Sequence, residues 1–407
     1  MTKRALVLSG GGARGAYEAG VLRFIVEEMP KRFGIDPQFD IVSGTSVGAI
    51  HACFMAATAD GGQERGRRLA GIWEELRVEE VFRFQGKALL GLPSRLLALR
   101  KIGQQLRAGQ RPDRLYGLLD TAPLEKLVMN SIPWRGIRRN LRDGNIEAVC
   151  VTATQIATGR AVVFTQRRDP LPPWAQDDAI HMQPIRIMPI HALASAAIPA
   201  LFPAVRVGAR YYADGGLRLN TPLAPAVRLG ASRILVIGLS HAEAPRVDEA
   251  IAQERTEGFG NPMFLFGKIL NALLLSPIET DLSRLQLVNS LIEHGRAAYG
   301  EDFLDRLNEV GSGQGMRPMQ KIDPLVVRPS RDLGVLAGEL LQGRHGPVEL
   351  SPFLRLIFKT FRSSPDPREA DLLSYLLFDY RYARLLTELG FRDAEARESE
   401  LAAFFSD

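Results

Sequence analysis

Cysteine is scarce in this 407-residue chain. There are two, Cys53 and Cys150, too few for a disulfide framework and in no CxxC pair that would suggest a metal site. Both have apolar neighbours and read as buried thiols in a reducing compartment. A charge excess of one sign is also missing: 51 Lys and Arg against 46 Asp and Glu leave +5, which does not mark a nucleic-acid binder. Long hydrophobic runs are few. Met1-Thr-Lys-Arg is followed by only four apolar residues before Ser9, short of the roughly 7–15 of an export signal, so a cytoplasmic location is expected. The stretches 41–59 and 187–205 lack charge and approach the length of a membrane span. The first carries Ser43, Thr45, Ser46, His51 and two glycines, and the second Pro189, Pro199 and Pro203. Both read as buried parts of a soluble fold, the second because proline interrupts a helix. There is no internal repeat and no low-complexity tract. With 46% apolar and 24% charged residues, the chain is neither disordered, collagenous nor disulfide-stapled.

The first sixty residues alternate strand and helix. Ala5-Leu-Val-Leu8 is the short apolar run of a strand covered on both faces. The run Gly10-Gly-Gly12-Ala-Arg14-Gly15 follows, and then Tyr17, Val21, Leu22, Ile25 and Val26 recur at helical spacing. Phe39 to Val42 predicts a second strand, Ser43-Gly44-Thr-Ser46-Val-Gly48 a sharp turn, and Ala49 to Ala59 a second helix. This βαβα opening predicts a three-layer αβα fold with a mostly parallel central sheet. Further strands are expected at 147–153, 161–165, 234–239 and 324–327, a loop at 311–315, and helices from about Val335. The expected domains are a core over 1–330 and a helical C-terminal extension over 331–407. A basic insertion at about 82–114 holds eight Lys and Arg and one acid. It reads either as a helix with a solvated basic face or as an amphipathic contact with an anionic membrane.

Gly44-Thr-Ser46-Val-Gly48 has the nucleophile-elbow pattern G-x-S-x-G between a strand and a helix. A serine on so tight a turn needs small residues two positions away on each side, and the following helix dipole favours developing negative charge. A structural Gly-Ser turn would give the same letters. The Gly10–Gly15 loop lets backbone N–H groups converge on an anion, either a phosphate or the oxyanion of an acyl transfer. It also matches the dinucleotide fingerprint G-x-G-x-x-G, for which Asp40 is the candidate acid. That acid is followed by more strand, and the strand then runs into the serine turn. Asp214-Gly215-Gly216 is a third turn, weak alone, but a serine needs a base.

Taken in order, Gly10-Gly11-Gly12-x-Arg14-Gly15, Gly44-x-Ser46-x-Gly48 and Asp214-Gly215-Gly216 resemble the patatin-like phospholipase family. The segment from Ser195 to Pro203 is similar too. The resemblance covers roughly residues 4 to 240, with a weaker echo to about 330. It implies a Ser–Asp dyad without histidine and hydrolysis of lipid acyl esters. Ser46 would be the nucleophile, Asp214 the base, and the N–H groups of Gly10, Gly11 and Gly12 the oxyanion hole. Many members carry Asp before the glycines where this chain has Ser9.

Six histidines are present. His51, five residues after Ser46 on one helix, points about 140° away from it and suits a core or surface position. His241 follows a strand, and the order Ser46, Asp214, His241 would also suit an α/β-hydrolase triad. Arg14 either steadies a substrate phosphate or carboxylate, or pins its own loop through a salt bridge elsewhere. Asn220 is placed to orient the loop after Asp214. The apolar cluster Met263 to Phe266 and Leu270 to Leu275 reads as core or as a lipid-facing lid. The expected function is a phospholipase A or lysophospholipase acting through an acyl-serine, with no metal or cofactor, no nucleic acid, and transient contact with a membrane. An acyltransferase or thioesterase would use the same acyl-serine. A nucleotide- or anion-binding module would use only the glycine loop.

Overall fold

The computed structural model describes residues 2–84, 112–115, 117–175, 179–241, 278–313, 315–343 and 371–406. Most of the basic insertion and the whole apolar cluster at 263–275 lie outside the described residues. Strands in chain order are β1 (Arg4–Leu8), β2 (Ile41–Thr45), β3 (Arg83–Phe84), β4 (Leu119–Asp120), β5 (Ala148–Gln155) and β6 (Ala161–Arg167). They continue as β7 (Ile180–Pro184), β8 (Val205–Val207), β9 (Arg210–Asp214), β10 (Arg233–Ile237) and β11 (Asp323–Val327). Helices are α1 (Gly15–Phe33), α2 (Val47–Ala57), α3 (Glu64–Glu75), α4 (Ala122–Ser131), α5 (Arg135–Asp143), α6 (Pro189–Ser195) and α7 (Leu223–Arg228). After these come α8 (Ile278–Tyr299), α9 (Phe303–Ser312), α10 (Leu333–Leu341), α11 (Asp371–Leu376), α12 (Tyr380–Glu395) and α13 (Glu398–Phe405).

The main sheet runs β11–β10–β1–β2–β5–β6–β7. From β11 to β5 every neighbour is parallel; β6 turns antiparallel to β5, and β7 is parallel to β6. Side chains alternate across a strand, so Leu6 and Leu8 enter the core beneath α1 and α2. Ala5 and Val7 enter a second core with Leu223 and Ala226 of α7 and Ile278 of α8. Helices thus cover both faces of a mostly parallel sheet, the three-layer arrangement that the strand–helix alternation implies.

Several boundaries differ from the sequence reading: β5 covers Ala148–Gln155 rather than 147–153, β10 covers Arg233–Ile237 rather than 234–239, and α8 and α9 precede the helices expected from about Val335. The second strand starts at Ile41 rather than Phe39 and runs straight into the serine turn. Gly311 and Ser312 close α9 rather than opening a loop. At the C-terminal end, α12 packs along α1 at close backbone distance. A side chain at Gly20 would collide with the Thr387 carbonyl, and one at Gly390 with that of Tyr17. The Tyr17 hydroxyl donates to Asp393 at 3.0 Å and Arg4 Nη2 to the Phe405 carbonyl at 2.9 Å.

Candidate active site

β2 delivers Ser46 to the carboxyl edge of the sheet. Ser46 is 5% exposed and holds φ 55°, ψ −123°, a backbone region that side-chain-bearing residues rarely enter. The turn closes so tightly that a Cβ at Gly44 would strike the Gly48 carbonyl, and one at Gly48 that of Leu8. The strained turn is pinned by Ser195, whose Oγ accepts the Ser46 N–H at 2.8 Å and donates to the Thr152 carbonyl at 2.5 Å.

Asp214 arrives by a different route. β2 pairs with β5 as far as Thr45 opposite Thr152. β9 runs antiparallel and takes the next position, Asp214 opposite Ala153. β6 occupies the other edge of β5 at those residues, so β2 and β9 meet head-on along one edge and their carboxyl ends face each other. Ser46 Oγ donates to Asp214 Oδ2 at 2.7 Å, and the Gly216 N–H donates to Oδ1 at 2.7 Å. Gly215 has no room for a side chain against the Thr152 carbonyl. Asp214 is wholly buried. Burial outweighs the Ser46 and Gly216 hydrogen bonds and pushes its carboxyl up to about 6.

The glycine loop lies beside them. The Gly10 N–H is already engaged, donating to the Asn220 carbonyl at 3.0 Å, while Asn220 Nδ2 returns a bond to the Gly10 carbonyl at 3.2 Å. Gly10 is therefore clamped in place and is not a free oxyanion donor, a correction to the three-donor expectation. Gly11 and Gly12 donate to no loop carbonyl among the described residues. Gly12 has φ +57° and packs its Cα against the Tyr375 carbonyl, and Gly15 leaves room for Val47. Arg14 is turned inward: its Nε donates to Ser374 Oγ at 2.7 Å and its guanidinium covers the Tyr375 ring. The inward, loop-pinning alternative for Arg14 is the one the structure displays, with the Ser374 hydroxyl and the Tyr375 ring among its partners. At the position of the missing acid, Ser9 Oγ meets Thr221 Oγ1 at 2.8 Å.

A family model described as patatin-like phospholipase matches residues 6–227. The chain belongs to that family. A cGAMP-activated phospholipase from Pseudomonas aeruginosa is 30% identical over 54% of this chain and 54% of its own length. Another from Vibrio cholerae is 26% identical over 54% and 55%. This chain thus spans about half the length of these curated relatives. VipD from Legionella pneumophila overlaps with TM-score 0.37 and 15% identity, over 99% of this chain and 67% of that one.

In this patatin-like chain an apolar cavity begins at Ser46 and Gly12. Its walls include Ile50 and Phe54 of α2, Ile72 and Trp73 of α3, and Phe202 and Phe378. His51 is buried in the same wall. Trp73 Nε1 donates to its Nε2 at 2.8 Å, so Nδ1 carries the proton that faces Glu18 Oε2 at 2.7 Å. Burial holds this imidazole down at about 3 and raises Glu18. His51 is a core residue, as its helical angle implies, but that angle does not reveal its place in the cavity wall. His241 bonds the Ser330 carbonyl at 3.2 Å, and neither Asp214 oxygen takes a histidine among the described residues, so the triad geometry is not formed. Asp40 sits before β2, at the opposite end of the strand from the glycine loop, and accepts the Arg4 N–H. It is misplaced for a ribose beside the glycines. Sequence reasoning missed Ser195 as the brace of the elbow and Ser374 and Tyr375 as the anchors of Arg14. Ser195 opens the family-like segment, which was its one visible signal. No helix among the described residues is long and apolar enough to cross a membrane.

Proposed function

We propose that the chain is a lipid acyl hydrolase of the phospholipase A or lysophospholipase type, working through a Ser46–Asp214 dyad. The observation that carries this reading is the 2.7 Å Ser46–Asp214 hydrogen bond at the mouth of an apolar cavity. Family membership supports it, as do relatives named as phospholipases. Asp214 takes the Ser46 hydroxyl proton as Oγ bonds to the ester carbonyl carbon. The oxyanion accepts from the free N–H groups of Gly11 and Gly12, with the N-terminus of α2 adding favourable potential. As the ester C–O bond breaks, Asp214 returns its proton to the departing alkoxide. Water then attacks the acyl-serine, Asp214 takes its proton, and fatty acid leaves as that proton returns to Ser46. The acyl chain lies along Ile50, Phe54 and Trp73.

No step needs a metal, so activity should persist with chelator present. The test is fatty-acid release from mixed phospholipid and lysophospholipid vesicles by wild type, Ser46→Ala, Asp214→Asn and His241→Ala. Loss in the first two variants with retention in the third supports the dyad. Loss in all three points to a triad, and retention in Ser46→Ala overturns the reading. In sequence terms the basic insertion suits an anionic membrane surface. Changing Arg95, Arg100, Lys101 and Arg107 to Ser should weaken binding to anionic vesicles, and undiminished binding would remove that role.

A further inference from the structure

A second cavity, of about 710 Å³, lies on the far side of the loop that follows Asp214. Its size falls within the roughly 300–1,000 Å³ usual for small-molecule sites. Its chemistry is the reverse of the acyl cavity. Arg160, Arg218 and Arg284 line it, and Asp281 is the only carboxylate in its wall among the described residues. Asp281 lies 3.7 Å from Arg284, a loose pairing, and among the described residues no carboxylate pairs with Arg160 or Arg218. Arg218 is steadied by donating Nε to the Gly159 carbonyl, and Thr158 and Thr280 add hydroxyls to the wall. Guanidinium forks grouped around one basin, with hydroxyls between them, match the oxygens of a phosphate.

The basin's inner wall is residues 218–221, and the pieces of the candidate active site hang on these residues. The N–H groups of Arg218 and Leu219 donate to the Gly215 carbonyl at 3.0 and 2.9 Å, next to Asp214. The Leu219 carbonyl accepts from Thr45 Oγ1 at 2.7 Å, next to Ser46. Asn220 clamps Gly10 from both sides, and Thr221 holds Ser9. Asn220 Oδ1 is buried without a partner, so this clamp is not fully satisfied as it stands.

We infer that the arginine-lined basin is a second ligand site, which takes a small phosphate-bearing anion and through residues 218–221 adjusts the glycine loop against Ser46. The coupling half of this inference rests on the proposed role of Ser46; the binding half does not. Phosphate can come from a soluble metabolite or from a lipid headgroup, and the experiment separates the two.

Binding is measured on Ser46→Ala, by calorimetry with inorganic pyrophosphate and by flotation with phosphatidylcholine vesicles with or without phosphatidic acid. Saturable binding is expected, weakened about tenfold or more by Arg160→Ser with Arg284→Ser. An unchanged melting temperature and circular dichroism spectrum will show that this double variant is folded. Arg139→Ser, outside the basin, should bind as before. Binding of pyrophosphate identifies a soluble ligand, and binding of phosphatidic acid vesicles alone identifies a headgroup. No saturable binding of either, or equal binding by the double variant, overturns the site. Coupling is then read in wild type as the rate of fluorophosphonate labelling of Ser46, with and without pyrophosphate at constant ionic strength. A change of about threefold or more is expected, and an unchanged rate overturns the coupling. Absence of labelling under every condition would instead count against the catalytic reading, while the binding measurement still decides the site.

Discussion

The Arg14 guanidinium lies 4.1 Å from the centre of the Tyr375 ring, joining the glycine loop to a residue 361 positions later. Arg14 is buried, and the Tyr375 carbonyl also walls the Cα of Gly12. The C-terminal helices therefore help shape the loop expected to hold the oxyanion. Lysine keeps the charge but neither stacks nor reproduces the Nε bond to Ser374. Arg14→Lys should fold and lose about tenfold or more in kcat, with a smaller change in KM. Steady-state kinetics beside a melting curve will check this, since a merely structural arginine would lower stability and leave kcat per folded molecule intact.

Burial places the Asp214 carboxyl at about 6, so the proposed base is protonated in mild acid. The rate kcat/KM should fall about tenfold per unit below pH 6 and level off above it. Stability carries the opposite sign. The folded carboxyl lies above its ordinary value of 3.8, so it favours the fold fully below about pH 4 and loses that contribution as pH rises through 6. The span is on the order of 3 kcal/mol. Asp214→Asn should abolish both the activity and this slope, measurable by denaturant unfolding between pH 4 and 7.

Ser46 occupies a backbone region that costs about 1–3 kcal/mol for a residue with a Cβ. Glycine relieves that strain and alanine does not. Ser46→Gly should exceed Ser46→Ala in stability by about 1 kcal/mol, after the entropy that glycine regains on unfolding. Equal unfolding midpoints would show that the turn is not strained.

Gly11 and Gly12 differ in what a methyl group would meet. At Gly11 it meets the end of the Leu239 side chain, which can move; at Gly12 it meets the Tyr375 carbonyl, at positive φ. Gly12→Ala should cost about 2 kcal/mol or more and nearly all activity. Gly11→Ala should fold close to normally, and its loss should appear mainly in kcat.

Ile72 stands in the wall of the apolar cavity. Ile72→Trp should narrow it and depress release of long acyl chains while sparing butyryl esters. Equal loss across chain lengths would place the acyl group elsewhere.

Much of this protein is legible in its sequence because the relevant physics is local. Apolar runs and helical spacing predict the βαβα start. A turn that leaves no room for Cβ atoms demands Gly44 and Gly48, so the elbow shows as letters. Three such turns in order suffice for the family resemblance. The insertion and the apolar cluster at 263–275 stay at the level of sequence, since they fall outside the described residues.

Other properties depend on which distant edges meet. Asp214 reaches Ser46 because β2 and β9 end head-on along one edge of β5, which no local pattern records. Which glycine N–H stays free was decided by Asn220, 210 positions from Gly10, whose carbonyl takes that donor before any substrate can. Ser195 braces the elbow from 149 positions away, and Arg14 finds its partners at the far end of the chain. The raised carboxyl of Asp214 and the neutral imidazole of His51 follow from burial alone. Sequence sets which groups can be strained or ionised, and only the packed tertiary structure decides which of them lose water and which meet.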